Sequence, residues 1–125
     1  MKVEWNTGLI AHLGIEFVEV TPERVVARLK VSDKLMTVGD TVHGGTLMAF
    51  ADSVGAAGTV ANLAEGQRTA TLESKTNFIA GCRSGTVQAE AKPIHKGKRT
   101  HVWETRITDE SGKLLSVTTQ TQMIL

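Results

Sequence analysis

Asp52 is a carboxylate set in the least polar run of the chain, among Leu47, Met48, Phe50, Ala51, Val54, Ala57 and Val60. Burying an unpaired charge is costly. Asp52 therefore lies on a partly exposed side, or pairs with an Arg or Lys, or is held in a cleft for chemistry. The chemistry open to it is attack on an electrophilic carbon or removal of a proton from water. Gly44 and Gly45 open the same run. Without side chains they leave helix-start N–H groups uncovered, so that a polar ligand oxygen can approach closely. Cys82, the single cysteine, sits in a Gly/Ser loop with no base implied, a poor setting for a nucleophile. His12, His43, His95 and His101 lack a metal-ligand spacing such as His-Glu-x-x-His, and no metal is expected.

The elements that must position these residues follow from hydrophobic periodicity. The 125 residues, 41% hydrophobic and 22% charged, suit one domain spanning residues 1–125. Gly14 to Val31 alternates as two strands around the turn Thr21-Pro22-Glu23-Arg24. His43-Gly44-Gly45 starts a helix running through Leu63 whose apolar residues surround its circumference, the pattern of a fully buried helix, with Gly66 as its left-handed cap. Period two returns in Thr69 to Ile79, Val87 to Lys92, Val102 to Thr108 and Leu114 to Ile124, the last two joined by the loop Asp109 to Lys113. A short helix within Val3 to Leu13 can present Trp5, Leu9, Ile10 and Leu13 on one face. The predicted class is α+β: an antiparallel six-stranded sheet wrapped around one long central helix.

Charge and composition narrow the partners. Fourteen Lys plus Arg against thirteen Asp plus Glu leave a net charge of +1, far from the surplus that phosphate-neutralising proteins carry, so nucleic acid is not an expected partner. Asp52, His43 and four glycines within Thr41 to Ala64 argue against a lipid-spanning helix. A lone cysteine and the opening Met1-Lys2-Val3-Glu4-Trp5, which is no apolar signal core, predict a cytoplasmic protein.

The segment Val42-His43-Gly44-Gly45-Thr46-Leu47-Met48-Ala49-Phe50-Ala51-Asp52-Ser53 resembles the signature of the hot-dog fold acyl-CoA thioesterases, in the phenylacetyl-CoA and 4-hydroxybenzoyl-CoA thioesterase-like branch. There a His-Gly-Gly turn starts the central helix and an acidic residue follows nine positions after the His. Thr71 to Ile79 and His95 to Glu104 are similar to later strands of the family. The resemblance implies hydrolysis of an acyl-CoA thioester to an acid and free coenzyme A, with no bound cofactor. The Gly45 N–H would polarise the carbonyl, Asp52 would be nucleophile or general base, and His43 would shape the turn or hold the carbonyl region. Gly44 would line the same site. Thr37 stands where many relatives carry Asn or Gln, and its hydroxyl has a shorter reach to a water. Because coenzyme A carries phosphates, Arg83, Lys96, Lys98 and Arg99 are candidate contacts, or else charges of solvated hairpin ends. A hot-dog hydratase or dehydratase, and a non-catalytic acyl-CoA binding module, are the rival readings.

Helix geometry adds an assembly expectation. Gly45 and Asp52 are seven residues apart, about 10 Å along a helix axis, too far for one carbonyl to meet both in one chain. Two antiparallel helices from two copies would bring them together. The expected active unit is a homodimer, assembled further as a homotetramer.

Overall fold

The computed structural model describes residues 3–125. Its elements are α1 (Gly8–Leu13), β1 (Ile15–Thr21), β2 (Arg24–Lys30), a single 3₁₀ turn (Asp33–Leu35), α2 (Gly44–Val60), β3 (Thr69–Phe78), β4 (Thr86–Lys96), β5 (Thr100–Thr108) and β6 (Leu114–Ile124). The strands form one sheet in the order β1-β2-β4-β5-β6-β3, every neighbouring pair antiparallel. The expected six strands and central helix are present. No helix among the described residues is long and apolar enough to cross a membrane.

Register explains which faces meet. Pairing of Ala27 with Ala89 and of Leu29 with Val87 turns one face of the sheet inward, and Arg28 with Gln88 the other face outward. Inward side chains from β2, β4 and β5 close over Leu47, Phe50, Ala51, Val54 and Ala57 of α2 in one core. The indole of Trp103 lies where a Cβ on Gly58 would come within 2.4 Å of it, so only glycine lets β5 approach α2 there.

Three expectations need correction. The helix is not buried all round: Gly45 and Met48 are exposed and Ala49, Asp52 and Ala56 half-buried, a strip along the side facing β3. Because β3 ends the sheet, nothing beyond it covers that strip. The helix also stops at Val60, not Leu63. The Asn62 amide donates to the Gly58 carbonyl at 2.8 Å and so satisfies one of its last acceptors, while Gly66, at φ 83°, shapes the following turn. Near the N-terminus α1 begins only at Gly8. Trp5 precedes it and packs on Phe17 with ring centroids 4.8 Å apart, and Leu9 faces solvent.

One buried polar group makes the fold pH-sensitive. The Trp103 indole N–H donates to Thr59 Oγ1 at 2.9 Å, so the Thr59 hydroxyl proton is free to go to His101 Nδ1, 3.1 Å away. Burial, with Lys96 and His95 as nearby like charges, holds the His101 imidazole below the ordinary histidine value. Below about pH 6.5 the unfolded chain takes up a proton that the folded one refuses, so stability is lost as pH falls through that range. Melting temperature is expected to drop from about pH 8 to about pH 5.5, less steeply in His101→Gln. Equal slopes in the two proteins would refute the assignment.

Candidate active site

The start of α2 is held by its own flanks. The His43 N–H donates to the Leu35 carbonyl at 2.9 Å, Val42 N–H to the Cys82 carbonyl at 2.9 Å, and Thr46 Oγ1 to the Leu35 carbonyl at 3.1 Å. Met36 and Val42 bridge the intervening turn, in which the Thr37 N–H donates to the Thr41 carbonyl at 2.7 Å. His43 is the N-cap, and its Nδ1 accepts the Gly45 N–H at 2.7 Å. This corrects the expectation for Gly45: its N–H is already taken by the cap. Thr46 and Leu47 donate to the His43 carbonyl. Among the described residues the Gly44 N–H has no acceptor, so the open donor of this helix start is Gly44. Thr37, Gly44, Leu47, Phe78 and Ala80 line a cleft of about 380 Å³ beside it.

Asp52 lies two turns further along. Thr71 Oγ1 lies 2.6 Å from its Oδ1 and shares its one proton with Gln122 Oε1 at the same distance, while Gln120 Nε2 donates to Asp52 Oδ1 at 3.1 Å and to the Asp52 carbonyl at 3.2 Å. Among the described residues no Lys, Arg or His pairs with Asp52, and no protein group donates to Oδ2. The ion-pair reading of this carboxylate is therefore not met. One oxygen is tied to β3 and β6, and the other is left for a water or a substrate carbon. Gly44 and Asp52 are eight residues apart, about 12 Å along the axis, so a single chain does not bring donor and carboxylate together.

The basic residues separate. Lys96 bonds Glu23 and lies 3.3 Å from Asn62 Oδ1 and 3.4 Å from the Pro22 carbonyl, which makes it a staple between two turns and not an open cation. Lys98 and Arg99 are exposed on the turn beside it, toward the C-terminal end of α2. Arg83 lines a cleft with Asp33, Thr37 and Asp40 at the N-terminal end. Cys82 is buried, its Sγ 3.3 Å from the Ser84 carbonyl. A larger groove, about 650 Å³, lies on the outer sheet face among Glu16, Arg28, Lys30 and Gln88, away from Asp52.

Sequence reasoning missed Thr71, Gln120 and Gln122. The signal available was the polar alternation Thr118, Gln120, Gln122 on β6, which turns inward here.

The Thioesterase superfamily family model matches residues 39–116, from the turn before α2 into β6. The chain belongs to the thioesterase superfamily. This superfamily member is 36% identical over 110 residues to a 1,4-dihydroxy-2-naphthoyl-CoA hydrolase of Listeria monocytogenes, covering 88% of this chain and 89% of that one. It is 30% identical over 119 residues to the protein of the same name from Escherichia coli, covering 94% and 87%. Among solved structures it is similar to a thioesterase from Haemophilus influenzae, with a TM-score of 0.89 and 31% identity over 94% of this chain and 82% of that one. The sheet wrapped around α2 is the hot-dog fold, and this superfamily member is a thioester hydrolase.

Proposed function

We propose that the protein hydrolyses an acyl-CoA thioester to a carboxylic acid and free coenzyme A, with no resident cofactor. The observation that carries this reading is Asp52: a half-buried carboxylate that, among the described residues, has no counter-ion, with one oxygen held by Thr71 and Gln120 and the other without a donor. In the general-base route Asp52 takes a proton from water while the water oxygen attacks the thioester carbon. The carbonyl oxygen gathers negative charge against the Gly44 N–H and the positive end of α2. The tetrahedral species then expels the coenzyme A thiolate, which is protonated to the free thiol. In the nucleophile route Asp52 itself attacks the thioester carbon and the C–S bond breaks to release the coenzyme A thiolate, and water then cleaves the resulting mixed anhydride to the acid and free Asp52. In both routes His43 holds the Gly45 N–H, keeping the helix start in register while Gly44 remains open.

Donor and carboxylate come from two copies of the chain. Three observations favour a second copy against this face. The α2 strip bearing Asp52 is uncovered, β3 is a sheet edge, and Leu72, Phe78 and Ile79 stand exposed on or just after that strand. Antiparallel packing of two α2 helices sets Asp52 of one copy near Gly44 of the other. It also carries Lys98 and Arg99 toward the partner's helix start, where they can meet phosphates of the substrate.

Thiol release from a panel of aryl, short and long acyl-CoA esters tests the activity; no release from any of them would end it. Within that panel, Lys98→Gln with Arg99→Gln is expected to raise KM about fivefold, the effect of roughly 1 kcal/mol, at unchanged kcat. Thioesters lacking the nucleotide should not respond. An unmoved KM for full acyl-CoA would remove these two residues from the site.

A further inference from the structure

Behind Asp52 lies a chain of amide bonds that the hydrolysis as written does not use. Gln122 Nε2 donates to Thr69 Oγ1 at 3.0 Å, and Gln120 Nε2 donates to Gln122 Oε1 at 2.9 Å and to both oxygens of Asp52 named above. Gln120 and Gln122 are wholly buried. Three oxygens surround Gln120 Nε2, so exchanging the amide's nitrogen and oxygen would face oxygen to oxygen at all three; the orientation is set by the contacts.

That orientation costs stability twice. Gln120 Oε1 is buried with no donor, and an unsatisfied buried acceptor is destabilising. It also sits 2.2 Å from where a Cβ on residue 55 would lie, so the amide requires Gly55, an unfavourable residue inside a helix. An apolar side chain of similar length would carry no unsatisfied oxygen, although it would still need Gly55 beside it. What the amide supplies in return is a grip on the carboxylate and the main chain of Asp52 together.

We propose that Gln120 is a positioning residue for the hydrolysis: with Thr71 it pins Asp52 Oδ1 and so leaves Oδ2 aimed at the reacting group. The inference rests on Asp52 being the reacting carboxylate, and the test separates the two claims. Thiol release from one responsive acyl-CoA is measured for the parent, Asp52→Asn, Gln120→Met and Gly55→Ala, with kcat and KM separated and a melting curve for each. Gln120→Met is expected to melt no lower than the parent. Its kcat should fall about tenfold or more with KM changed less than about twofold, because the carboxylate is no longer held. Gly55→Ala pushes the same amide aside; because Gln120 is buried, this overpacking should lower the melting temperature, so kcat is read per folded molecule, where it is expected to fall as in Gln120→Met. Parental kcat in these variants beside an inactive Asp52→Asn would overturn the role of Gln120. So would activity that falls only in proportion to folded protein. Parental turnover in Asp52→Asn would instead overturn the reading of Asp52 itself.

Discussion

Asp52→Asn is expected to lower kcat about 10²-fold or more while the protein folds and melts as before. The structure explains why the two effects separate. An asparagine keeps an oxygen at Oδ1, so the bonds from Thr71 Oγ1 and Gln120 Nε2 persist, and among the described residues Asp52 makes no salt bridge to be broken. What disappears is the charge and basicity of the group that has no protein donor. If Asp52 were a scaffold residue, the substitution would lower the melting temperature and leave turnover per folded molecule unchanged. Kinetics and a melting curve on one preparation distinguish the outcomes.

Much of the scaffold was legible because it obeys short-range rules. Period-two runs bounded by Pro22-Glu23 and by Asp109 to Lys113 are strands in the structure, and His43-Gly44-Gly45 does open the central helix. The helix end was not legible. Gly66 is the stronger local stop signal, but the Asn62 amide reaches both the Gly58 and Pro22 carbonyls, the second from a turn 40 residues away. Burial of the helix was overestimated for a related reason: periodicity reports which residues are apolar and not where the sheet ends, and β3 leaves the Gly45–Met48–Asp52 strip open.

The site was legible in its residue types and not in its wiring. Asp52 and the two glycines stand out by composition alone. Which glycine offers its N–H turns on the side-chain conformation of His43, which no spacing encodes. Lys96 reads as an open cation until Glu23, 73 residues earlier, is found beside it. Thr71, Gln120 and Gln122 were hidden because polar residues alternating along a strand suggest a solvated face. On β6 that face turns inward, with Gln120 and Gln122 buried, while Thr71 reaches the carboxylate from the exposed side of β3.

The central claim, that each site combines the Gly44 N–H of one copy with Asp52 of another, is tested most directly by mixing two inactive variants. Gly44→Pro removes the donor at the first helical position, where proline is tolerated, and the preceding His43 at ψ 135° already has the extended conformation that proline requires. Gly44→Ala is its control. A Cβ there comes within 3.0 Å of the Phe78 ring in either case, but alanine keeps the N–H and should retain far more activity. When Gly44→Pro and Asp52→Asn chains are co-refolded, a mixed dimer has one site with both lesions and one with neither. Random pairing makes about half the dimers mixed, so about a quarter of parental thiol release should return. Verified mixed dimers that stay at the background of the two single variants would contradict the shared site.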